Sequence, residues 1–166
     1  PPRSTLFPYT TLFRSPGASA DAERLAGLLD RLDGRIDEIH VTLDTHQLVD
    51  IAHPVFWRNG EGQPPAPFTQ ITVADVEKEV WRPFDPRFQQ RALDYVRALR
   101  DHGRYTLTIW PPHCLIGTWG HNVIPVVAGA LRCWEEAGFK RVNYVTKGHN
   151  PWTEHYSAMQ DRKSVV

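Results

Sequence analysis

Helix-like and strand-like stretches alternate along the chain, and this order constrains the fold more than any other feature. Apolar residues recur at the spacing of one helical face in some stretches, while shorter stretches alternate in the manner of a strand. In chain order, the predicted helices and strands cover residues 21–32, 38–43, 86–102, 105–109, 123–137 and 141–146. Because each helix is followed by a strand, the sequence predicts an α/β fold with a mostly parallel sheet.

Side chains with useful chemistry follow each of these predicted strands. Asp44 and His46 follow the first, His113 follows the second and Lys147 follows the third. His113 belongs to the segment Trp110-Pro-Pro-His-Cys114, whose two prolines stiffen the strand exit. The carboxyl ends of parallel strands meet at one edge, where open α/β sheets bind their ligands. We therefore expect these side chains to lie close together in a site.

The composition excludes several classes of partner. The 166 residues carry 19 basic and 19 acidic side chains, a formal net charge of +0, so no basic patch argues for nucleic acid or an anionic membrane. No apolar run reaches membrane-spanning length. Cys114 and Cys133 are too few for a disulfide framework and suit a reducing compartment. We expect a cytoplasmic enzyme domain that binds a small molecule.

The histidines and Asp44 suggest a metal site. Asp44 and His46 are two residues apart and share a face of the strand end. His53 follows within a short loop, and His113 comes from the neighbouring strand. One carboxylate with two or three imidazoles suits Zn²⁺ as first choice, or Fe²⁺ or Mn²⁺, with positions left open to water. The alternative is that Asp44 and His46 only hydrogen-bond each other.

Four more residues near these positions are candidates for a role. Lys147 is either a solvated surface lysine or, beside a metal, a group that stabilises an anion or lowers a neighbouring pKa. Trp110 and Trp152 would form walls for a planar substrate. Cys114 adjoins His113, but neighbours on an extended segment point to opposite sides, which favours a buried thiol over a nucleophile.

Residues 47–72 form a long stretch without regular periodicity. Stretches of this length inside a compact domain are usually functional or disordered. Phe56, Trp57 and Phe68 argue against disorder. The sequence therefore predicts an ordered flap or pocket wall, followed by a short helical turn over residues 72–79.

Both ends of the chain differ in character from the rest. Residues 1–15 resemble the translation of a common sequencing-library adapter, and residues 161–166 resemble the complementary adapter read outward. A proline and a weakly basic start make residues 1–15 a poor signal peptide. We therefore expect residues 16–160 to be a partial domain from a longer protein.

Taken together, the motifs resemble those of the isochorismatase-like cysteine hydrolase superfamily, in its nicotinamidase-related branch. The resemblance rests on Asp44-Thr-His46, on Trp110-Pro-Pro-His-Cys-Leu-Ile-Gly-Thr-Trp-Gly120, and on Thr146-Lys-Gly148 with Tyr156-Ser157 following. It implies a three-layer α/β/α Rossmann-like parallel sheet, incomplete in this chain. It also implies a cytoplasmic hydrolase of non-peptide C–N bonds in NAD metabolism, acting on nicotinamide or a related small amide.

The resemblance implies roles for the candidate residues. Asp44, His46 and His113 correspond to metal ligands, and His53 corresponds to a further ligand at a slightly longer spacing than the family pattern. The family's metal helps to hold the substrate ring, with the counterpart of Trp110 against it. The family's catalytic triad is Asp, Lys and Cys: the thiolate attacks the amide carbon, the Asp shuttles protons, ammonia leaves and water hydrolyses the thioester.

Lys147 corresponds to the triad lysine, whereas the triad Asp and Cys have no counterpart in this sequence. The family's first strand, also without a counterpart, lies between the strands that lead to His46 and to Lys147. The resemblance therefore implies that these two strands lose backbone partners. It further implies that the 166-residue chain is marginally stable or aggregation-prone and has no amidase activity.

Two other functions stay open at this point. One is a metal-dependent hydrolase in which a metal-bound water is the nucleophile and Lys147 is an electrostatic helper. The other is a non-catalytic relative that keeps the metal site as a binding module. Whether the full-length protein forms a homo-oligomer is also open at this point.

Overall fold

The structure, a computed structural model, describes residues 16–32, 34–102 and 105–154. In chain order its α-helices are α1 (Ala18–Arg31), α2 (Val73–Glu77), α3 (Gln89–His102) and α4 (Pro125–Gly138), with 3-10 turns at Pro54–Phe56 and Pro86–Phe88. The predictions for residues 1–15 and 161–166 and the motif Tyr156-Ser157 lie outside the described residues. Among the described helices, none is both long and apolar enough to cross a bilayer.

The ends of the helices follow local chemistry. The short turn predicted after the long stretch is α2, and Thr72 and Asp75 cap it in a capping box. Asp75 N donates to Thr72 Oγ1 at 3.2 Å, and Thr72 N donates to Asp75 Oδ2 at 2.8 Å. α4 begins two residues later than predicted because Pro125 takes the first turn, where a missing N–H costs nothing.

Short strands form three separate pairs within the described part of the chain. They are β1 (His40–Asp44), β2 (Trp57–Arg58), β3 (Gln70–Ile71), β4 (Arg82–Pro83), β5 (Leu107–Thr108) and β6 (Asn143–Lys147). β1 and β6 run parallel in a register that pairs His40 with Asn143 and Asp44 with Lys147. β2 with β4 and β3 with β5 are antiparallel pairs. The predicted α/β class with a parallel sheet and flanking helices is confirmed.

The strand predicted over residues 105–109 does not join the parallel pair. Its central part, β5, runs antiparallel to β3 from the long stretch. Ile109 extends the pairing, because its N–H donates to the Thr69 carbonyl at 2.8 Å and its carbonyl accepts from Phe68 N at 2.5 Å. Residues of the long stretch thus satisfy the backbone hydrogen-bonding groups of this strand. Side-chain alternation alone does not reveal which segment pairs with it.

The expected loss of backbone partners by β1 and β6 is wrong. The two strands pair directly with each other over all their residues. Two further backbone bonds lengthen the contact: Asn143 N donates to the Ile39 carbonyl at 2.9 Å, and Thr45 N donates to the Lys147 carbonyl at 2.7 Å. Direct pairing satisfies backbone N–H and C=O groups that would otherwise face the position of the family's first strand.

Two apolar clusters hold these elements. The first, here called the flap core, contains Ile51, Ala52, Phe56, Trp57, Ile71, Val76, Ala92, Val96, Leu99, Leu107 and Ile109. The second, the helix-pair core, lies between α1 and α4 and contains Ala26, Leu29, Val127, Ala130, Leu131, Trp134 and Val142. Trp57 is fully buried and donates its indole N–H to the Ile51 carbonyl at 2.6 Å. The predicted ordered flap over residues 47–72 is therefore confirmed, and it is part of a core.

Candidate functional site

The tips of the parallel strands bring two predicted site residues together. Asp44 and Lys147 are partners at the last position of the register. Lys147 Nζ forms an ion pair with Asp44 Oδ1, and both side chains remain partly exposed. The predicted metal-binding carboxylate and the predicted catalytic lysine are thus bound to each other.

Three imidazoles gather next to this ion pair. His46 follows β1, His53 precedes the first 3-10 turn, and His113 follows β5. The ring centres are 4.7 Å apart for His46 and His113, 5.5 Å for His46 and His53, and 5.7 Å for His53 and His113. His46 N donates to the Cys114 carbonyl at 3.1 Å, which fixes the β1 tip against the segment that carries His113. The predicted convergence of these histidines is observed.

Each of the three rings has an oxygen acceptor at its Nδ1 atom. The acceptors are Asp50 Oδ2 for His46 (3.2 Å), the Leu48 carbonyl for His53 (3.2 Å) and the Pro111 carbonyl for His113 (3.0 Å). Because these oxygens accept hydrogen bonds, Nδ1 carries a proton in each ring and the lone pair of the neutral ring lies on Nε2. His53 Nε2 is buried and has no hydrogen-bond partner among the described residues.

The surroundings of each imidazole shift its pKa. Burial is the main influence on His53 and His113, and it lowers the pKa of both. Burial also opposes the charged form of His46, but the hydrogen bond and the charge of Asp50, together with the charges of Glu154 and Asp44, outweigh it, so the pKa of His46 is raised. His53 and His113 are therefore held in the neutral form that a metal requires.

Gly148 packs closely against His46. A Cβ atom at this position would lie 3.0 Å from His46 Cε1 and 3.3 Å from its Nδ1. The residue also has a φ of 83°, which favours glycine. The glycine after Lys147 therefore lets the backbone approach one edge of the imidazole.

The ring spacing can be compared with that of a metal site. Three imidazoles on one tetrahedral zinc, with Zn–N bonds of about 2.1 Å, have ring centres roughly 5 Å apart. The observed separations, 4.7 to 5.7 Å, fit this spacing, and the buried, unpartnered Nε2 of His53 is a suitable donor. As the side chains stand, no three His, Cys, Asp or Glu residues in the described ranges form a group that could hold an ion. Binding therefore requires some of these side chains to move closer to the others.

An aromatic wall borders the imidazoles. The Trp110 ring centre lies 6.5 Å from that of His113, in an edge-on arrangement. Phe68 also packs edge-on with the indole, with ring centres 5.9 Å apart, and it is 52% exposed. Trp110 therefore lies beside the imidazoles, as its predicted role requires, and Phe68 lengthens the wall.

Two other candidate residues, Trp152 and Cys114, have the surroundings of packing residues. Trp152 packs against Phe56 and Phe88, with ring centres 5.9 and 4.6 Å away, on the edge of the flap core. Cys114 is half-buried, and burial raises the pKa of its thiol. A raised pKa disfavours the thiolate, in keeping with the predicted inert thiol.

Sequence reasoning missed two buried carboxyl groups at this site. Asp50 is 1% exposed and contacts His46. Glu154 is 7% exposed, and its Oε2 has no hydrogen-bond partner within the described part of the chain. Burial, followed by the charge of Asp50, raises the pKa of Glu154 to about 7. The spacing of four residues between His46 and Asp50 was the available signal, but it lies in a stretch without periodicity.

Comparisons with known proteins bear on the fold. Neither the protein-family models nor the curated proteins contain a match to the chain. The crystal structure of the yeast nicotinamidase Pnc1p bound to the inhibitor nicotinaldehyde is similar, with a TM-score of 0.54 and 20% identity over 94% of this chain and 56% of that chain. A second structure of the yeast enzyme gives a TM-score of 0.51 and 19% identity over 89% and 53% of the two chains. This chain thus spans little more than half the length of that nicotinamidase, and it shares the α/β fold of that part of the enzyme.

Proposed function

We propose that this chain carries part of the active site of a metal-containing cysteine amidohydrolase that converts nicotinamide, or a related small amide, to the acid and ammonia through a cysteine thioester. The observation that carries the proposal is the meeting of His46, His53 and His113 beside the Asp44–Lys147 ion pair. The shared fold with a nicotinamidase is consistent with it.

The proposed metal ligands are His46, His53 and His113, joined by Asp44. Their nitrogen and oxygen donors suit Zn²⁺ best, with Fe²⁺ or Mn²⁺ as alternatives. A bound divalent ion would polarise the ring or carbonyl of the substrate. The three Nδ1 contacts orient the rings for this, because each leaves Nε2 as the donor.

The remaining residues of the chain would position the substrate and its charge. Trp110, with Phe68 at its edge, offers a flat surface for a planar aromatic amide beside His113. Lys147 Nζ holds the Asp44 carboxylate and supplies a positive charge that favours ionised groups nearby. The acid and the nucleophilic cysteine of the proposed triad have no counterpart in the 166 residues, so we expect no turnover from this chain alone.

A second candidate is metal-dependent hydrolysis that uses no cysteine. The set of three imidazoles favours it, since three nitrogen ligands with an open position are typical of catalytic zinc sites. The two candidates differ in one measurable way. The second predicts zinc-dependent hydrolysis of nicotinamide by the 166-residue chain, and the first predicts none.

The test combines zinc content with nicotinamide binding. We expect about one zinc per chain after dialysis, loss of that zinc in His113→Ala, and retention in His40→Ala, which changes an exposed histidine bonded to Glu38. Nicotinamide should bind the zinc-loaded chain and bind Trp110→Ala more weakly while its zinc content is unchanged. Zinc content unaffected by His113→Ala would contradict the proposed ligand set.

A further inference from the structure

We infer that Asp50 is the positioning residue of the metal site, holding the His46 ring so that its Nε2 atom is the one offered to the ion. This inference rests on the metal site proposed above. It concerns a residue that the motif Asp44-Thr-His46 does not contain.

Both oxygens of Asp50 are committed to fixed partners. Oδ2 lies 3.2 Å from His46 Nδ1, and Oδ1 accepts from Ala52 N at 2.9 Å. Asp50 is 1% exposed and His46 is 3% exposed, so water does not compete for this contact. The backbone bond prevents the carboxylate from turning away, and the carboxylate in turn fixes the ring.

A second constraint on the same edge of the ring comes from the residue after β6. Gly148 lies against the Cε1 and Nδ1 edge of the same ring, where no Cβ atom would fit without displacement. The Nδ1 edge of the His46 ring therefore packs against both a carboxylate and backbone. In this position the lone pair of the neutral ring is on Nε2.

Asp50 also differs from the other two Nδ1 acceptors in its charge. The acceptors of His53 and His113 are neutral backbone carbonyls. The negative charge of Asp50 acts on all three imidazoles. A buried carboxylate behind a ligating histidine makes that ligand more basic and fixes its tautomer.

The experiment measures two properties of the 166-residue chain. Zinc affinity is obtained by competition with a chromophoric chelator, and the tautomer of His46 is read in the metal-free chain by long-range ¹H–¹⁵N NMR in mildly alkaline buffer. We expect the Nδ1–H tautomer for His46. In Asp50→Ala we expect loss of that preference and a zinc affinity lower by about 10- to 100-fold.

Two other variants, Asp50→Asn and Asp94→Asn, are compared with Asp50→Ala. Asp50→Asn keeps an oxygen that can accept from Nδ1 but removes the charge, so it should lose affinity to a smaller extent; it carries the test if Asp50→Ala does not fold. Asp94→Asn makes the same change at an exposed aspartate of α3 that accepts from Gln90 at 2.8 Å, and it should leave both readouts unchanged.

The possible outcomes distinguish the positioning role of Asp50 from the metal site on which it rests. If the parent chain binds zinc and both Asp50 variants bind it equally well, the positioning role is overturned and the metal site stands. If the parent chain binds no zinc while His46 keeps the Nδ1–H tautomer, the metal site has failed and the inference falls with it.

Discussion

At the scale of the residue, Gly148 shows how one missing side chain can shape the site. Its backbone has φ 83°, and a Cβ atom would come within 3.0 Å of His46 Cε1 and 3.3 Å of the Thr45 carbonyl. Neither neighbour can move easily, because Thr45 and His46 are buried and bound to other segments. The position therefore requires glycine for two reasons, conformation and space.

Gly148→Ala should lower the free energy of unfolding. The left-handed backbone conformation alone costs about 1–2 kcal/mol with a side chain, and the contact with His46 adds to this. Urea unfolding monitored by circular dichroism measures the change. An unfolding free energy equal to that of the parent chain would contradict the packing described for Gly148.

Gly129 provides the matched control. It lies inside α4, and a Cβ atom there would meet nothing within 4 Å. Gly129→Ala should therefore raise the unfolding free energy by roughly 0.5–1 kcal/mol, because alanine restricts the unfolded chain and favours the helix. The two Gly-to-Ala changes should thus have opposite signs.

Glu154 makes the stability of the metal-free chain depend on pH. Burial, then the charge of Asp50, raises its pKa from 4.5 to about 7; the charge of Asp44 adds to the rise, while those of His46 and Lys147 oppose it. Between these pH values the folded chain holds a proton that the unfolded chain has released. The free energy of unfolding is therefore highest below pH 4.5 with respect to this group and falls as the pH rises to about 7.

The size of this effect follows from the shift. The difference between the folded and unfolded pKa of Glu154 corresponds to a change in unfolding free energy on the order of 3 kcal/mol across the pH range between the two values. Glu154→Gln, which stays neutral, should remove most of the slope and raise the unfolding free energy at neutral pH. Urea unfolding at a series of pH values in the presence of a chelator measures it. An unaltered slope in Glu154→Gln would assign the pH dependence to other groups.

At the scale of the element, periodicity predicted the helices well but strand pairing only in part. The tips of β1 and β6 carry Asp44 and Lys147 to one place, as parallel strands must. Alternation in residues 105–109 also indicated a strand correctly, but it contains no information on the partner. The partner, β3, comes from a stretch whose own pattern is irregular. Pairing depends on tertiary contacts, which a local pattern does not encode.

The candidate site was predictable to a similar extent. The ligand-type residues could be identified because Asp44, His46, His113 and Lys147 follow strand-like stretches. Asp50 could not, because its role depends on a buried contact with His46 and on an anchor at Ala52. A carboxylate in an aperiodic stretch is normally a surface residue, and its burial appears only in three dimensions.

The β1–β6 pair should be the less stable part of the sheet structure. None of its residues is buried, although parallel sheets are usually covered on both faces. Hydrogen–deuterium exchange should therefore show weaker protection in peptides covering residues 40–44 and 143–147 than in those covering residues 107–110. We expect a difference of about tenfold or more, or about 1.4 kcal/mol in opening free energy.

The reason for the contrast lies in the flap core. Leu107 and Ile109 are buried within it, and the amides of Ile109 and Trp110 donate to the carbonyls of Thr69 and Ala52. Two-stranded sheets without such cover are marginal in water. Equal protection of both regions would mean that the parallel pair is covered in solution.

At the scale of the whole molecule, the candidate site lies where the segments of the flap core meet the tip of the β1–β6 pair. The flap core supports the segments that carry His53 and His113, and the β1–β6 pair carries His46 and Lys147. The chain shares its fold with a yeast nicotinamidase over little more than half of that enzyme's length. The proposed function thus requires these separate segments to form one metal site.

X-ray absorption spectroscopy of the zinc-loaded chain tests this claim most directly. The account predicts about three imidazole ligands with Zn–N distances of about 2.0–2.1 Å, and no sulfur in the first shell. His53→Ala, which removes the buried Nε2, should lower the imidazole count by one or abolish stoichiometric binding. Sulfur scattering at about 2.3 Å, or a single imidazole, would contradict the account.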